Sequence, residues 1–138
     1  MAGRIIRVLE RTKYDYSLLP ASALIDIKLA DLDVSGASEV TLLIRVHESV
    51  ITASSGTFKI VTMASAPTNE DPGKDFYDPT ALATSAAIDD APGAPFLLRS
   101  AIPANCGAWI TVFLEVNQAV GGATNLSATL SIDASLKE

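Results

Sequence analysis

The chain has 138 residues, a formal charge of −6 and one cysteine, Cys106. That length closes one sizeable core, and a lone cysteine excludes an intrachain disulfide and fits assembly in a reducing cytoplasm. The acidic balance speaks against a general nucleic-acid binder, and the apolar residues come in runs shorter than the ~18 a membrane helix needs.

The amino-terminal stretch carries Arg4, Arg7, Arg11 and Lys13 against Glu10, so residues 1–14 hold a net charge of +3. Charges interrupt its apolar residues too often for a cleaved signal peptide. It reads as a basic arm or an edge strand. After Pro20, Ile25, Ile27 and Leu29 alternate with Asp26, Lys28 and Ala30, and Leu32 and Val34 resume one residue out of phase, which predicts a strand with a β-bulge near Ala30 and Asp31. A helix through Ile25, Leu29 and Leu32 competes with that reading.

Ser35 and Gly36 punctuate, then Val40, Leu42, Ile44 and Val46 predict a strand, with Leu43 making its centre apolar on both faces. Ser54, Ser55 and Gly56 signal a turn, and Phe58, Ile60 and Thr62 against Lys59, Val61 and Met63 return the chain, so residues 40–64 read as a hairpin. Residues 66–103 hold six of the seven prolines and an acidic cluster of Glu70, Asp71, Asp75, Asp78, Asp89 and Asp90. Proline lacks a ladder donor, so this is read as a long excursion, with one helical turn at Thr80 to Ala87 and a short strand at Phe96 to Ala101.

From Trp109 to Lys137 two alternating runs flank Gly121 and Gly122 and read as a closing hairpin. Ile110, Val112, Leu114 and Val116 form one apolar face. Leu126, Ala128, Leu130, Ile132, Ala134 and Leu136 form the other. Seven or so antiparallel strands with aliphatic and Ser/Thr positions alternating predict an all-β sandwich in a single domain, residues 1–138; a jelly roll and an immunoglobulin-like sandwich both fit, and the long proline-rich connection favours the jelly roll.

Catalytic chemistry finds little footing. His47 is the only histidine and falls out of phase with the aliphatic set, which predicts a surface imidazole. No Gly-x-Ser-x-Gly elbow or phosphate-cradling loop is present, and Cys106 reads as a small packed residue. Asn69, Asp71, Asp75 and Asp78 offer hard oxygens, but Gly73 stands fifth and no bidentate Glu follows, so the stretch reads as a solvated acidic loop. Tyr14, Tyr16, Phe76, Tyr77 and Trp109 are candidate sugar platforms, which keeps a carbohydrate- or ligand-binding module as the alternative function. No cofactor or resident metal is expected.

The run Trp109-Ile110-Thr111-Val112-Phe113-Leu114-Glu115-Val116 and the run Ser127-Ala128-Thr129-Leu130-Ser131-Ile132-Asp133-Ala134 resemble the closing hairpin of small tailed-bacteriophage virion proteins, the capsid decoration proteins above all. The resemblance implies a non-enzymatic virion protein assembled in the host cytoplasm. Its partners would be its own copies, as a trimer, and a shell protein; neither nucleic acid nor membrane is implied. Charge and exposure nominate interaction residues: the basic Arg4, Arg7, Arg11 and Lys13, the acidic Glu70, Asp71, Asp75 and Asp78 between residues 69 and 90, and the aromatic Trp109 and Phe113 on faces where polar residues belong. The expected mode is the basic arm of one subunit reaching an acidic excursion on a neighbour.

Overall fold

The computed structural model describes residues 3–20, 22–52, 56–66, 78, 81–88, 94–103, 108–118 and 125–138. They form eight strands: β1 (Gly3–Asp15), β2 (Ala23–Asp33), β3 (Glu39–Ile51), β4 (Gly56–Ser65), β5 (Ala83–Thr84), β6 (Phe96–Ile102), β7 (Trp109–Gln118) and β8 (Leu126–Lys137). Two four-stranded sheets result, ordered β1-β8-β3-β6 and β2-β7-β4-β5, with every pairing antiparallel. Each strand of one sheet thus has its counterpart in the other, and the chain changes sheet at every step except β4 to β5. This is the strand plan of a jelly roll.

Both expected hairpins are corrected by this topology. β3 and β4 lie in opposite sheets, and so do β7 and β8. Instead, β7 runs between β2 and β4 while β8 runs between β1 and β3. The alternation fixed which side chains face inward, but two facing sheets present the same alternation as two neighbouring strands, and only nonlocal pairing tells them apart. Gly121 and Gly122 lie outside the described residues, as does Cys106.

The inward faces follow the predicted phase closely. Leu126, Leu130, Ile132, Ala134 and Leu136 of β8 are fully buried, as are Ile110, Val112, Leu114 and Val116 of β7, with Leu42, Ile44, Phe58 and Ile60 between them. Interior strands are flanked on both sides, so their inward residues lose all solvent contact, and that burial is the principal stabilising term. At the sandwich's open flank the edge strands β1 and β2 keep Ile6, Leu9, Ile25, Ile27 and Leu29 only partly covered.

The bulge in β2 falls at Leu29, between the pairs Lys28 to Phe113 and Ala30 to Val112, one residue before the predicted place. β1 carries two register shifts, between Arg7 and Leu9 and between Leu9 and Thr12. The helical turn expected at residues 80–87 is replaced, over residues 81–88, by extended chain on β4. Leu82, Ser85 and Ile88 donate backbone N–H groups to Thr62, Ile60 and Phe58 at 2.7, 2.9 and 2.8 Å. Local alanine content favours a helix there, but the open edge of β4 supplies the backbone partners.

Two turns reuse one local device. Asp15 accepts from the Ser17 N–H at 3.1 Å and hydroxyl at 2.6 Å, and Asp33 accepts from Ser35 in the same way at 2.9 and 2.6 Å. Both are Asx turns that close a strand. After the second, Gly36 takes φ +81°, as the third residue of a type II turn requires, and Ala37 N–H bonds the Val34 carbonyl at 3.1 Å.

Candidate interaction surfaces

The outer face of the β1-β8-β3-β6 sheet is polar and organised around Asp133. Its position on β8 alternates outward between the buried Ile132 and Ala134, in register with Arg7 of β1 and Leu43 of β3. The carboxylate takes Arg7 Nε on Oδ1 at 3.1 Å and Arg45 Nη1 on Oδ2 at 2.5 Å. Asp133's side chain is 11 % exposed, whereas the arginines are 45 % and 43 % exposed, so the guanidiniums roof the carboxylate. Such charge-assisted bonds fix geometry more firmly than neutral ones.

Along the same face His47 Nε2 lies 2.8 Å from Ser131 Oγ, and Lys137 reaches Glu39 at 3.3 Å. Glu39, Thr41, Leu43, Arg99, Ser135 and Lys137 line a shallow groove. His47 is therefore an outer-face residue, as predicted, with a serine partner that was not. Ser131 is 2 % exposed, and no carboxylate among the described residues engages the imidazole. No group of three or more metal-ligating side chains occurs among the described residues.

The sequence-nominated residues separate into three sets. Arg4 and Arg7 are engaged within the chain, Arg4 with Glu138 at 3.6 Å and Arg7 with Asp133, so neither points away on a free arm. Arg11 and Lys13 are exposed on β1. Glu70, Asp71 and Asp75 lie outside the described residues. Asp78 is exposed and donates its N–H to the Ala64 carbonyl at 2.8 Å beyond the end of β4.

Trp109 and Phe113 point outward from the second sheet, but the expected bare apolar patch is not there. Phe113 is only 7 % exposed and its register neighbour Val61 5 %. Trp109 is half-buried between Asp33 and Ser65. Lys28 and Thr84 continue the rows that Phe113 and Val61 begin, so the apolar pair sits mid-row rather than at a rim.

Charge on this second face is acidic. Asp31 accepts from Thr111 Oγ1 at 2.6 Å and pairs with Lys28 at 2.6 Å. Partial burial pushes its carboxyl up, yet the bonds from Lys28 and Thr111 together bring the balance below the ordinary value. The Ser17 bonds lower Asp15, and the Ser35 bonds, followed by the more distant Arg4 charge, lower Asp33. Sequence reasoning missed Asp133 and Asp31. The available signal was an acidic residue on the polar side of a strong strand, but nothing local told which cations would meet it.

No protein-family model matches the sequence, and no curated protein is significantly similar to it. Among solved structures the chain is similar to one in the structure of infectious bursal disease virus, Gx strain, with a TM-score of 0.55 and 14 % identity. The match covers 98 % of this chain and 32 % of that one, so the chain spans about a third of that chain's length. At this identity the likeness is one of fold.

Proposed function

We propose that the protein is a non-enzymatic structural component of a self-assembling particle, a virion protein of the bacteriophage decoration or minor-capsid type that binds neighbouring subunits. The observation that carries this reading is the strand plan itself. The sheets are ordered β1-β8-β3-β6 and β2-β7-β4-β5, and the chain is similar in fold to a chain of a virus structure. Jelly rolls recur in viral shells because an eight-stranded sandwich is a rigid block whose edges and loops remain available for neighbours. The outer-face chemistry agrees, since ion pairs and hydrogen bonds occupy His47, Ser131 and Asp133 in structural roles.

Immunogold electron microscopy of particles from the source lysate tests the proposal. Label on particle surfaces is the expected result. Label confined to the soluble fraction, with specific retention of the purified protein on a glycan array, would replace it with the carbohydrate-binding alternative.

A further inference from the structure

β1 and β2 lie side by side at one flank of the sandwich. Counted from the turn that joins them, β1 presents Asp15, which is held by Ser17, then Lys13 and Arg11, then Glu10, then Arg7 and Arg4, whereas β2 presents Asp26, then Lys28, then Asp31 and Asp33. Arg4 of β1 and Asp33 of β2 stand at the far ends of the two columns, and the Arg4 charge acts on Asp33 after that residue's own Ser35 bonds. Taken in order from the turn and beyond Asp15, the columns are therefore opposite in sign. Among the described residues Arg11, Lys13 and Asp26 form no ion pair. Between the columns lie the partly covered Ile6, Leu9, Ile25, Ile27 and Leu29.

Resting on the particle reading above, we infer that a second copy of this chain docks on the β1–β2 flank about a two-fold axis parallel to the strands. That operation sets β1 of each copy against β2 of the other at the same level and running antiparallel. Arg11 and Lys13 then meet Asp26 of the second copy twice over, the aliphatic seams close on each other, and the contact is isologous. Register shifts in β1 and β2 interrupt a continuous backbone ladder, so side chains supply the contact. The area is adequate. Eleven residues of β2 at ~3.3 Å each and a width of ~20 Å across two sheets ~10 Å apart give roughly 700 Å² per copy, close to the ~800 Å² of stable complexes.

Complementary charge reversal tests this on the isolated full-length protein by sedimentation, with circular dichroism confirming that each variant remains folded. The parent should have the mass of two 14.4 kDa chains at micromolar concentration. Asp26→Lys alone, and Arg11→Glu with Lys13→Glu alone, should each be monomeric, and mixing them should restore the dimer as a one-to-one heterodimer. A monomeric or trimeric parent overturns the inference, as do variants that dimerise like the parent or a mixture that stays monomeric. Immunogold label on particles with a monomeric parent would reject the two-fold contact while leaving the particle reading intact.

Discussion

Arg45 on β3 and Asp133 on β8, 88 residues apart in sequence, meet at 2.5 Å on the outer face of the sandwich, where Arg7 from β1 takes the remaining carboxylate oxygen. One acidic side chain thus stitches three adjacent strands together. Asp133→Asn should keep the shape but halve the charge-assisted bonding, lowering stability by about 1–2 kcal/mol. Lys137→Ala, which removes the exposed pair with Glu39, should cost about 0–1 kcal/mol. Urea midpoints of the two variants check the ordering, and equal midpoints would contradict it.

The inward face of β8 should tolerate no charge. Ile132 is fully buried opposite the second sheet, so Ile132→Asp is expected to cost several kcal/mol and Leu130→Ala about 2–5 kcal/mol. A thermal melt of Ile132→Asp within a degree or so of the parent would refute the assignment of that face.

Gly56 is held to its size by the neighbouring strand. A Cβ there would stand 2.2 Å from the Asn117 carbonyl oxygen of β7, and that atom belongs to backbone that cannot swing aside. Gly56→Ala should part the β4–β7 pairing at its first rung and cost about 1–3 kcal/mol. At Gly36 space is open and only φ resists, so Gly36→Ala should cost about 1 kcal/mol. Hydrogen exchange at Gln118 in the first variant, and unaltered exchange there in the second, distinguishes the two mechanisms.

Acid stability should depend on Asp15, Asp31 and Asp33, whose folded pKa values all lie below the ordinary 3.8. A depressed carboxyl contributes stability that is fully present above its unfolded pKa and is lost as pH falls through the folded one. The protein should therefore weaken below about pH 4. Thr111→Val removes one of the bonds that lower Asp31, so its titration should move upward. Carbon-detected carboxyl titrations in the parent and variant measure this, and a downward move would contradict the assignment.

How far the sequence reveals this fold follows from the range of each interaction. Which face Leu130 or Val112 occupies depends on the two-residue repeat of its own strand, and that was legible. Which strand sits beside it was not, because β7 and β8 alternate identically whether adjacent or opposed. Arg7 looked like a free interaction residue since its partner lies 126 positions further on in the chain numbering, at Asp133. Phe113 and Val61 looked exposed because phase alone puts them outward, while their small exposure depends on what surrounds them.

The separation of β7 and β8 into opposite sheets also sets an order of events during synthesis. β8 is the strand between β1 and β3, and a ribosome produces both flanking strands long before it produces β8. The same holds for β7 between β2 and β4. Neither sheet can be assembled in sequence as the chain emerges, and the nascent chain must carry unpaired strand edges until the final segments arrive. Such nonlocal pairing makes folding slow and exposes intermediates to one another. Chains released early should therefore depend on chaperones far more than full-length ones do.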